Sequence, residues 1–396
     1  MSNSEAGYTK KDLPVKVGQI GLTLLAVGLV LGIVGYFIDS FRASYSYLTA
    51  FMFLLSIGVG SLFLVALEYI AGASWSTPFR RIPEFLSSVV PYLFILVVPL
   101  VFSMHDLFNW THTDVIAKSK VLQGKTPYLN STFFIIRIVV IFGVWTLFYY
   151  FLTKHSRQQD SSKDQRLTKY NIKLSAIFMP LFAITISFAA VDWIMSLEAY
   201  WYSTIFGVYF FGGATVASLA AVTLITVLLK EKGYLHSRTN SEHYYSLGTL
   251  MFAFTAFWGY IAFSQYMLIW YGDLPEETLW FIHRWNGGWK IISIIIIFGQ
   301  FIVPFFALIS HKAKTNPKRL KFMSIWILCA HFIDVYWMIM PSLYGTSHSY
   351  SFSWLDIVYP LAVIGILVIL FNLNAKKYNL VPIGDPKLER GLNFRL

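Results

Sequence analysis

Apolar residues dominate ten separate stretches of the chain, and each is close to the roughly 20 residues that a helix needs to cross a lipid bilayer. They predict ten transmembrane helices, here called spans 1 to 10. Their expected bounds are 15–38, 48–70, 86–104, 132–152, 174–197, 204–229, 244–270, 289–309, 322–340 and 355–372. The gaps between them are too short for a soluble domain. The pattern therefore predicts an all-α polytopic membrane protein.

Basic residues are distributed unevenly between the two sides of these helices. Of the 31 Lys and Arg residues, 24 fall in the two tails and in the gaps that follow even-numbered spans, and six fall in the other gaps. Because Lys and Arg are enriched in cytoplasmic loops, both termini are predicted to be cytoplasmic. We expect tails at 1–14 and 373–396 and a ten-helix transmembrane domain at 15–372.

A faint internal similarity indicates a duplication. Spans 2–5 and 6–9 have the same orientation, and SIGVGSL at 56–62 is similar to GGATVASL at 212–219. Two four-helix bundles, at 48–197 and 204–340, would fit this pattern, with spans 1 and 10 as flanking helices.

Composition excludes several classes of protein. The 396 residues are 56% apolar and 13% charged, whereas soluble domains carry about 25% charged residues. A single cysteine, Cys329, rules out an iron–sulfur ligand set and a c-type haem attachment motif. Only His331 lies well inside a span, so a pair of facing haem ligands is also missing. We expect no redox cofactor bound directly by the chain, and no role in nucleic-acid binding despite the net charge of +11.

Five ionisable residues lie well inside the predicted spans: Glu68, Arg137, Asp192, His331 and Asp334. A charged group at the centre of a membrane helix costs roughly 2.5 to 3.5 kcal/mol, so each requires a partner or a purpose. Arg137 and Asp192 are both about 8 Å from the outer ends of adjacent antiparallel spans. A buried ion pair between them is therefore predicted.

Each group has a structural and a functional interpretation. The Arg137–Asp192 pair either fixes helix register or forms an outer proton entrance or exit. His331 and Asp334, at positions i and i+3 of span 9, share a helix face. His331 is either a packed core residue or, together with Asp334, a proton relay.

The remaining candidates lie nearer the two surfaces. Glu68 is either a helix-end carboxylate that meets Arg80 or Arg81, or the inner end of a proton path. Gln265 in span 7 is either a hydrogen-bonding contact between helices or part of the outer polar groups. Together, six residues support the hypothesis of two proton half-channels: Glu68, Arg137, Asp192, Gln265, His331 and Asp334.

An outer segment, YGDLPEETLWFIHRWNGGW at 271–289, combines five large aromatic rings with charged residues. An interfacial aromatic belt accounts for most Trp and Tyr at the outer ends of the spans. This mixture, however, is typical of a surface that docks an extrinsic partner, and the alternative is a simple folded loop. The candidate docking residues are Asp273, Glu276, Glu277, His283 and Arg284.

Two long segments, DWIMSLEAYWYSTIFGVYFFGG at 192–213 and YMLIWYGDLPEE at 266–277, resemble the membrane F subunits of alternative complex III, a bacterial quinol oxidoreductase. The similarity covers nearly the whole chain, and those subunits belong to the wider polysulfide-reductase-type (NrfD-like) family. The resemblance implies ten helices in two four-helix bundles, located in the bacterial cytoplasmic membrane. It also implies a hetero-oligomer with multihaem cytochrome c, iron–sulfur and second NrfD-like membrane subunits, which oxidises quinol and reduces cytochrome c or a terminal oxidase.

Three functions remain open at this point. The first is a cofactor-free subunit that scaffolds the complex and conducts protons, with haem c and iron–sulfur clusters held by its partners. The second is a quinone-binding subunit in which an acid such as Asp192 accepts a proton, although no evident His and Asp pair lies at the outer ends. The third is a secondary transporter, whose helices would be broken at corresponding positions of the two halves. Pro91 and Pro99 in span 3 have no counterparts in span 7, which disfavours a transporter.

Overall fold

The structure is a computed structural model that describes residues 8, 10–344 and 350–395. Within those residues the chain forms helices and no strand, and ten helical segments are long and apolar enough to cross a membrane. Spans 1 to 10 are Val15–Ile38, Ser40–Ala71, Thr77–Phe102, Ser131–Ser162, Gln165–Trp193, Phe206–Glu231, Ser241–Gly272, Trp289–Leu308, Pro317–Tyr344 and Leu355–Lys377. The predicted all-α polytopic membrane fold is confirmed.

Several helices are longer than the apolar stretches that predicted them. Span 2 begins at Ser40 rather than at 48, and span 4 continues to Ser162 rather than ending at 152. A helix of 32 residues measures about 48 Å, against about 30 Å for the hydrocarbon core. The helices therefore extend into the headgroup layer, where polar residues are tolerated and hydropathy gives no signal.

Two rings of four helices form the centre of the molecule. Spans 2, 3, 4 and 5 pack in one ring and spans 6, 7, 8 and 9 in the other, and spans 2 and 6 form the main contact between the rings. Span 1 packs along span 10 outside the rings. A Cβ atom on Gly28 would lie 2.7 Å from the Cβ of Ala362, so the glycine permits this close helix contact. The arrangement matches the predicted pair of bundles with two flanking helices.

Span 3 is a series of short turns rather than a continuous α-helix. Its segments are Thr77–Phe79, Arg81–Leu86, Ser87–Tyr92, Leu93–Leu96 and Val98–Phe102. Proline lacks an amide hydrogen and clashes with the preceding turn, so Pro91 and Pro99 account for breaks here. Span 7, its counterpart in the second ring, is a continuous helix over Ser241–Gly272. The breaks of span 3 thus do not recur there.

Short helices and capped ends connect the spans. Asn130 accepts a hydrogen bond from the amide of Phe133 at 2.8 Å and so caps the start of span 4. Gly72, at φ 62°, ends span 2 in the left-handed conformation. The helices between or beyond the spans are Met104–Leu107, Asn109–Thr111, Thr113–Ala117, Lys120–Lys125, Met195–Glu198, Pro275–Trp285, His311–Thr315 and Leu388–Leu392.

The segment that follows span 10 folds back across the ends of the two rings. A Cβ atom on Gly384 would lie 1.8 Å from the carbonyl oxygen of Gln159, so this segment packs directly on the end of span 4. Lys10 donates a hydrogen bond to the carbonyl of Lys376 at 2.5 Å, which places both terminal segments on the same side. That this side is cytoplasmic remains the prediction made from the distribution of basic residues. The buried apolar residues of the segment are Leu380, Val381, Leu388 and Leu392.

Candidate functional site

Polar side chains from three spans meet where the two rings pack together in the middle of the molecule. Asp334 on span 9 accepts a hydrogen bond from the Tyr209 hydroxyl on span 6. Nε2 of His331 lies 2.9 Å from Oγ of Ser56 on span 2. His331 and Asp334 are fully buried, and His331 lies about 20 Å from either end of span 9. We call five residues the central cluster: Ser56, Tyr209, Gly213, His331 and Asp334.

The hydrogen bonds of Ser56 assign the tautomer of His331. Oγ of Ser56 donates to the carbonyl of Phe53 at 2.8 Å, so its oxygen accepts the proton carried by Nε2 of His331. A neutral imidazole carries a proton on only one nitrogen, so Nδ1 of His331 is a proton acceptor. Nδ1 is buried and has no hydrogen-bond partner among the described residues.

Gly213 brings the imidazole and the carboxyl group to the same part of span 6. A Cβ atom at this glycine would lie 3.1 Å from Nδ1 of His331 and 3.5 Å from Oδ2 of Asp334. Both atoms therefore face the bare backbone of Gly213. The predicted shared face of His331 and Asp334 is confirmed, whereas sequence reasoning missed their partners on spans 2 and 6.

Two buried glutamines add polar groups to the second ring. The side-chain oxygen of Gln265 and both amide atoms of Gln300 have no hydrogen-bond partner in the part of the chain that the structure describes. Gln300 lies in a π-helical turn, Ile297–Ile302, where the carbonyl of Gly299 accepts a hydrogen bond from Trp326 at 2.8 Å. Single π-helical turns occur often at functional sites. The sequence could have identified Gln300 as a candidate in the same way as Gln265, because both are polar residues inside a predicted span.

Arg137 and Asp192 form the predicted ion pair at the outer side of the first ring. Nε of Arg137 lies 2.8 Å from Oδ2 of Asp192, which confirms the pair. The Tyr128 hydroxyl donates to Oδ1 of Asp192 at 2.8 Å, and its ring lies 3.9 Å from the guanidinium carbon. Burial, reinforced by the nearby carboxylate, raises the pKa of Tyr128 above its ordinary value. Tyr128 therefore remains a hydrogen-bond donor to Asp192.

A second buried ion pair at the outer side was not predicted. Arg42 on span 2 pairs with Asp356 on span 10. Ser46 and Tyr336 donate hydrogen bonds to the same carboxylate, at 2.7 and 3.1 Å. Asp356 could have been recognised from the sequence, because it is an ionisable residue inside the predicted span 10. Arg42 could not, because its part of span 2 lies outside the apolar stretch.

The inner ends of spans 2 and 3 hold a buried group of charged side chains around Arg80. Its guanidinium contacts Glu68 at 3.2 Å, Glu84 at 3.3 Å and Asp385 at 2.6 Å. The contact with Glu68 is the one that the structural interpretation of that residue predicted. Asp385 comes from the segment after span 10, so the predicted cytoplasmic tail is part of the buried structure.

Arg81 extends this group of charges to span 4. Its guanidinium contacts Glu84 at 2.6 Å and Asp160 at 2.8 Å, and Oγ of Ser156 donates to Glu84 at 2.6 Å. Full ionisation of four carboxyl groups beside two guanidinium groups would leave two uncompensated negative charges, which burial disfavours. We call these six residues the inner cluster: Glu68, Arg80, Arg81, Glu84, Asp160 and Asp385.

Span 2 carries a further polar side chain between the central and inner clusters, on the helix face of Glu68 rather than that of Ser56. Ser56 contacts His331, Ser61 lies five residues further along the helix, and Glu68 lies seven residues beyond Ser61. Oγ of Ser61 is buried and has no partner among the residues that the structure describes. The distance from Ser56 to Glu68 along the helix is about 18 Å.

The candidate docking residues lie on and beside the outer helix Pro275–Trp285. Asp273 and Glu276 are exposed, whereas Glu277 and His283 are partly buried. His283 also lies 3.8 Å from a carboxylate oxygen of Glu198. The two exposed carboxylates are thus open to solvent.

Arg284 has a different environment from the other docking candidates. It is 1% exposed and donates hydrogen bonds to the carbonyls of Trp337 and Met338 at 3.1 and 2.9 Å and to Glu198 at 3.0 Å. Burial lowers the pKa of its guanidinium, and Glu198 opposes that shift. The expectation that Arg284 contacts a partner is corrected. Its hydrogen bonds hold the outer helix against the end of span 9.

The fold and these buried clusters define a multi-pass helical membrane protein with ionisable groups at its outer, central and inner levels. No protein-family model and no curated protein matches the chain. Within residues 8, 10–344 and 350–395, no group of three or more His, Cys, Asp or Glu side chains is arranged to hold a metal ion. The chemistry that these groups offer is the binding and exchange of protons.

Proposed function

We propose that the chain is a proton-conducting membrane subunit, without a redox centre of its own, of a quinol-oxidising complex of the alternative complex III type. Proton conduction is supported above all by the central cluster, in which a carboxyl group and an imidazole are buried side by side at mid-membrane level. Membership of the complex, and the bacterial cytoplasmic membrane as its location, rest on the resemblance of segments 192–213 and 266–277.

The central cluster has the components of a proton relay. Nδ1 of His331 accepts a proton from the side of Asp334, which gives an imidazolium. The proton on Nε2 then passes to Oγ of Ser56 as the Ser56 hydroxyl releases its own proton toward the inner side. The imidazole, now neutral with its proton on Nδ1, returns to its starting tautomer when that proton is exchanged for one on Nε2. Because burying an ionisable pair at mid-membrane level is costly, we assign the pair a transport role.

The relay continues toward both surfaces. Toward the inner side, Ser61 and Glu68 follow Ser56 along span 2, and the inner cluster has more carboxyl groups than guanidinium groups with which to hold protons. Toward the outer side, Tyr209 bonds Asp334, and Gln265 lies about 10 Å from the outer end of span 7. The Arg137–Asp192 pair belongs to the first ring, so we assign it a structural role apart from this route.

The exposed outer surface is the expected contact with the redox partners. Asp273 and Glu276 lie beside an apolar helix face formed by Leu279, Ile282 and Trp285, which are 47%, 45% and 50% exposed. Apolar side chains with a charged rim are typical of protein interfaces. We propose that an extrinsic subunit, such as the multihaem cytochrome c, docks here.

The proposal is tested on the intact complex, purified from native membranes in mild detergent and reconstituted into liposomes. The measurements are the rate of quinol oxidation and the number of protons translocated per electron. We expect Asp334→Asn to assemble and oxidise quinol but to translocate fewer protons. Asp114→Asn removes the same charge at an exposed outer position outside the proposed docking surface and is the matched control.

Different results would overturn different parts of the proposal. An unchanged proton yield for Asp334→Asn would refute the relay. A homogeneous particle without haem, by haem stain, would refute membership of the complex and favour a transporter. Quinone retained by the isolated chain would favour the quinone-binding alternative.

A further inference from the structure

Arg157, which has no carboxylate partner among the described residues, lies between the inner ends of spans 4 and 10. Nη2 of Arg157 donates to Oδ1 of Asn374 on span 10 at 3.1 Å and lies 3.4 Å from the Tyr149 hydroxyl. Its Nε is buried and has no hydrogen-bond partner among the described residues. A guanidinium whose described hydrogen-bond partners are neutral is available to bind an anion.

A second cation lies beside the same aromatic ring. The guanidinium carbon of Arg157 is 4.1 Å from the centre of the Tyr378 ring, and Nζ of Lys377 is 5.4 Å from that centre. Lys10 donates to the carbonyl of Lys376, which brings a third cation to the end of span 10. The site therefore concentrates positive charge on two spans and the N-terminal segment.

The site is at the level of the lipid headgroups. Arg157 is about 8 Å from the inner end of span 4, which is longer than the hydrocarbon core is thick, and Lys377 is the last residue of span 10. Span 3 packs against both spans. Toward the hydrocarbon, Tyr150 and Leu373 are 53% and 55% exposed. An apolar surface therefore adjoins the cations.

We propose that this site binds the headgroup phosphate of an anionic phospholipid from the inner leaflet, with the acyl chains against Tyr150 and Leu373. Guanidinium and ammonium groups match a phosphate in charge and hydrogen bonding. Basic sites between membrane helices on the cytoplasmic side are suited to anionic lipid headgroups. A soluble anion would not use the adjoining apolar surface. The inference depends on the membrane fold and not on the proposed function.

The test uses the purified protein in nanodiscs made from equal amounts of phosphatidylglycerol and phosphatidylcholine, with native mass spectrometry of the lipids retained after extraction. Wild type is expected to retain phosphatidylglycerol about tenfold in excess. The double variant Arg157→Gln, Lys377→Gln is expected to lose that preference. The matched control, Lys169→Gln with Lys173→Gln, removes the same charge from exposed positions on span 5 at the same side and should retain it.

One further variant keeps the proposal open to refutation if the double variant fails to fold. Arg157→Lys preserves the charge and should retain part of the preference. Equal preference in the double variant and the control, or no preference in wild type, would overturn the proposal. Binding of inorganic phosphate to lipid-free protein with the same dependence on Arg157 would assign the site to a soluble anion and overturn the lipid as ligand.

Discussion

Gly213→Ala tests the central cluster without changing a charge or removing a hydrogen-bonding group. The new methyl group would lie 3.0 Å from Cε1 and 3.1 Å from Nδ1 of His331, whereas carbon atoms normally approach to about 3.5–4.0 Å. The imidazole must therefore move by about 0.5 Å. Its other side is held by Ser56 at 2.9 Å, so the movement disturbs the arrangement on which the relay depends.

The effect on stability is expected to be small because two terms oppose each other. Overpacking a well-filled interior costs about 1–3 kcal/mol, and alanine is favoured over glycine in a helix by about 1 kcal/mol. The free energy of unfolding should therefore fall by about 0–2 kcal/mol. The variant should fold and assemble, so a loss of function is separable from a loss of protein.

The assay is proton translocation per electron in liposomes, with thermal unfolding measured on the same preparation. We expect Gly213→Ala to lower the proton yield while quinol oxidation continues. Gly143→Ala on span 4 is the matched control, because a Cβ atom there would meet nothing within 4 Å. If both variants gave the wild-type proton yield, the geometry around His331 would not matter for proton transfer and the reasoning would be refuted.

Two further predictions concern stability. Arg137→Met should lower the free energy of unfolding by about 3–5 kcal/mol, because it leaves the Asp192 carboxylate buried without its cation, and adding Asp192→Leu should recover most of that loss. Denaturant unfolding in detergent measures both, and a double variant no more stable than the single one would contradict a purely structural pair. Gly384→Ala should displace the segment after span 10, because its Cβ would lie 1.8 Å from the Gln159 carbonyl. Hydrogen exchange over 380–392 should then accelerate, and unchanged exchange would show that the segment does not depend on this contact.

Some contacts between helices were predictable from the chain alone. Arg137 and Asp192 lie at matching depth on consecutive antiparallel spans, and a short connection forces such spans to be neighbours. Depth and sign of charge were therefore enough to predict the pair. His331 and Asp334 were found for the same kind of reason, since both are ionisable residues inside apolar stretches and their spacing places them on one helix face.

Other contacts depend on helix rotation and packing, which hydropathy does not encode. Ser56 and Tyr209 are common residues in membrane helices, and only the packing of spans 2, 6 and 9 selects them as partners of the central cluster. Arg284 appeared in a charged outer segment, but the rotation of its short helix turns it inward. No local pattern distinguishes such an arginine from an exposed one.

The sequence by itself determined ten spans and the depth of each buried charge, because the cost of placing a residue in hydrocarbon depends on that residue and its near neighbours; the sidedness of the spans is its prediction. The tertiary structure decided which groups meet: the central cluster, the inner cluster closed by Asp385, and the place of the segment after span 10. Those contacts join residues far apart in the sequence, 305 positions in the case of Arg80 and Asp385. Their formation is set by the complementary surfaces of whole helices rather than by any local property of the chain.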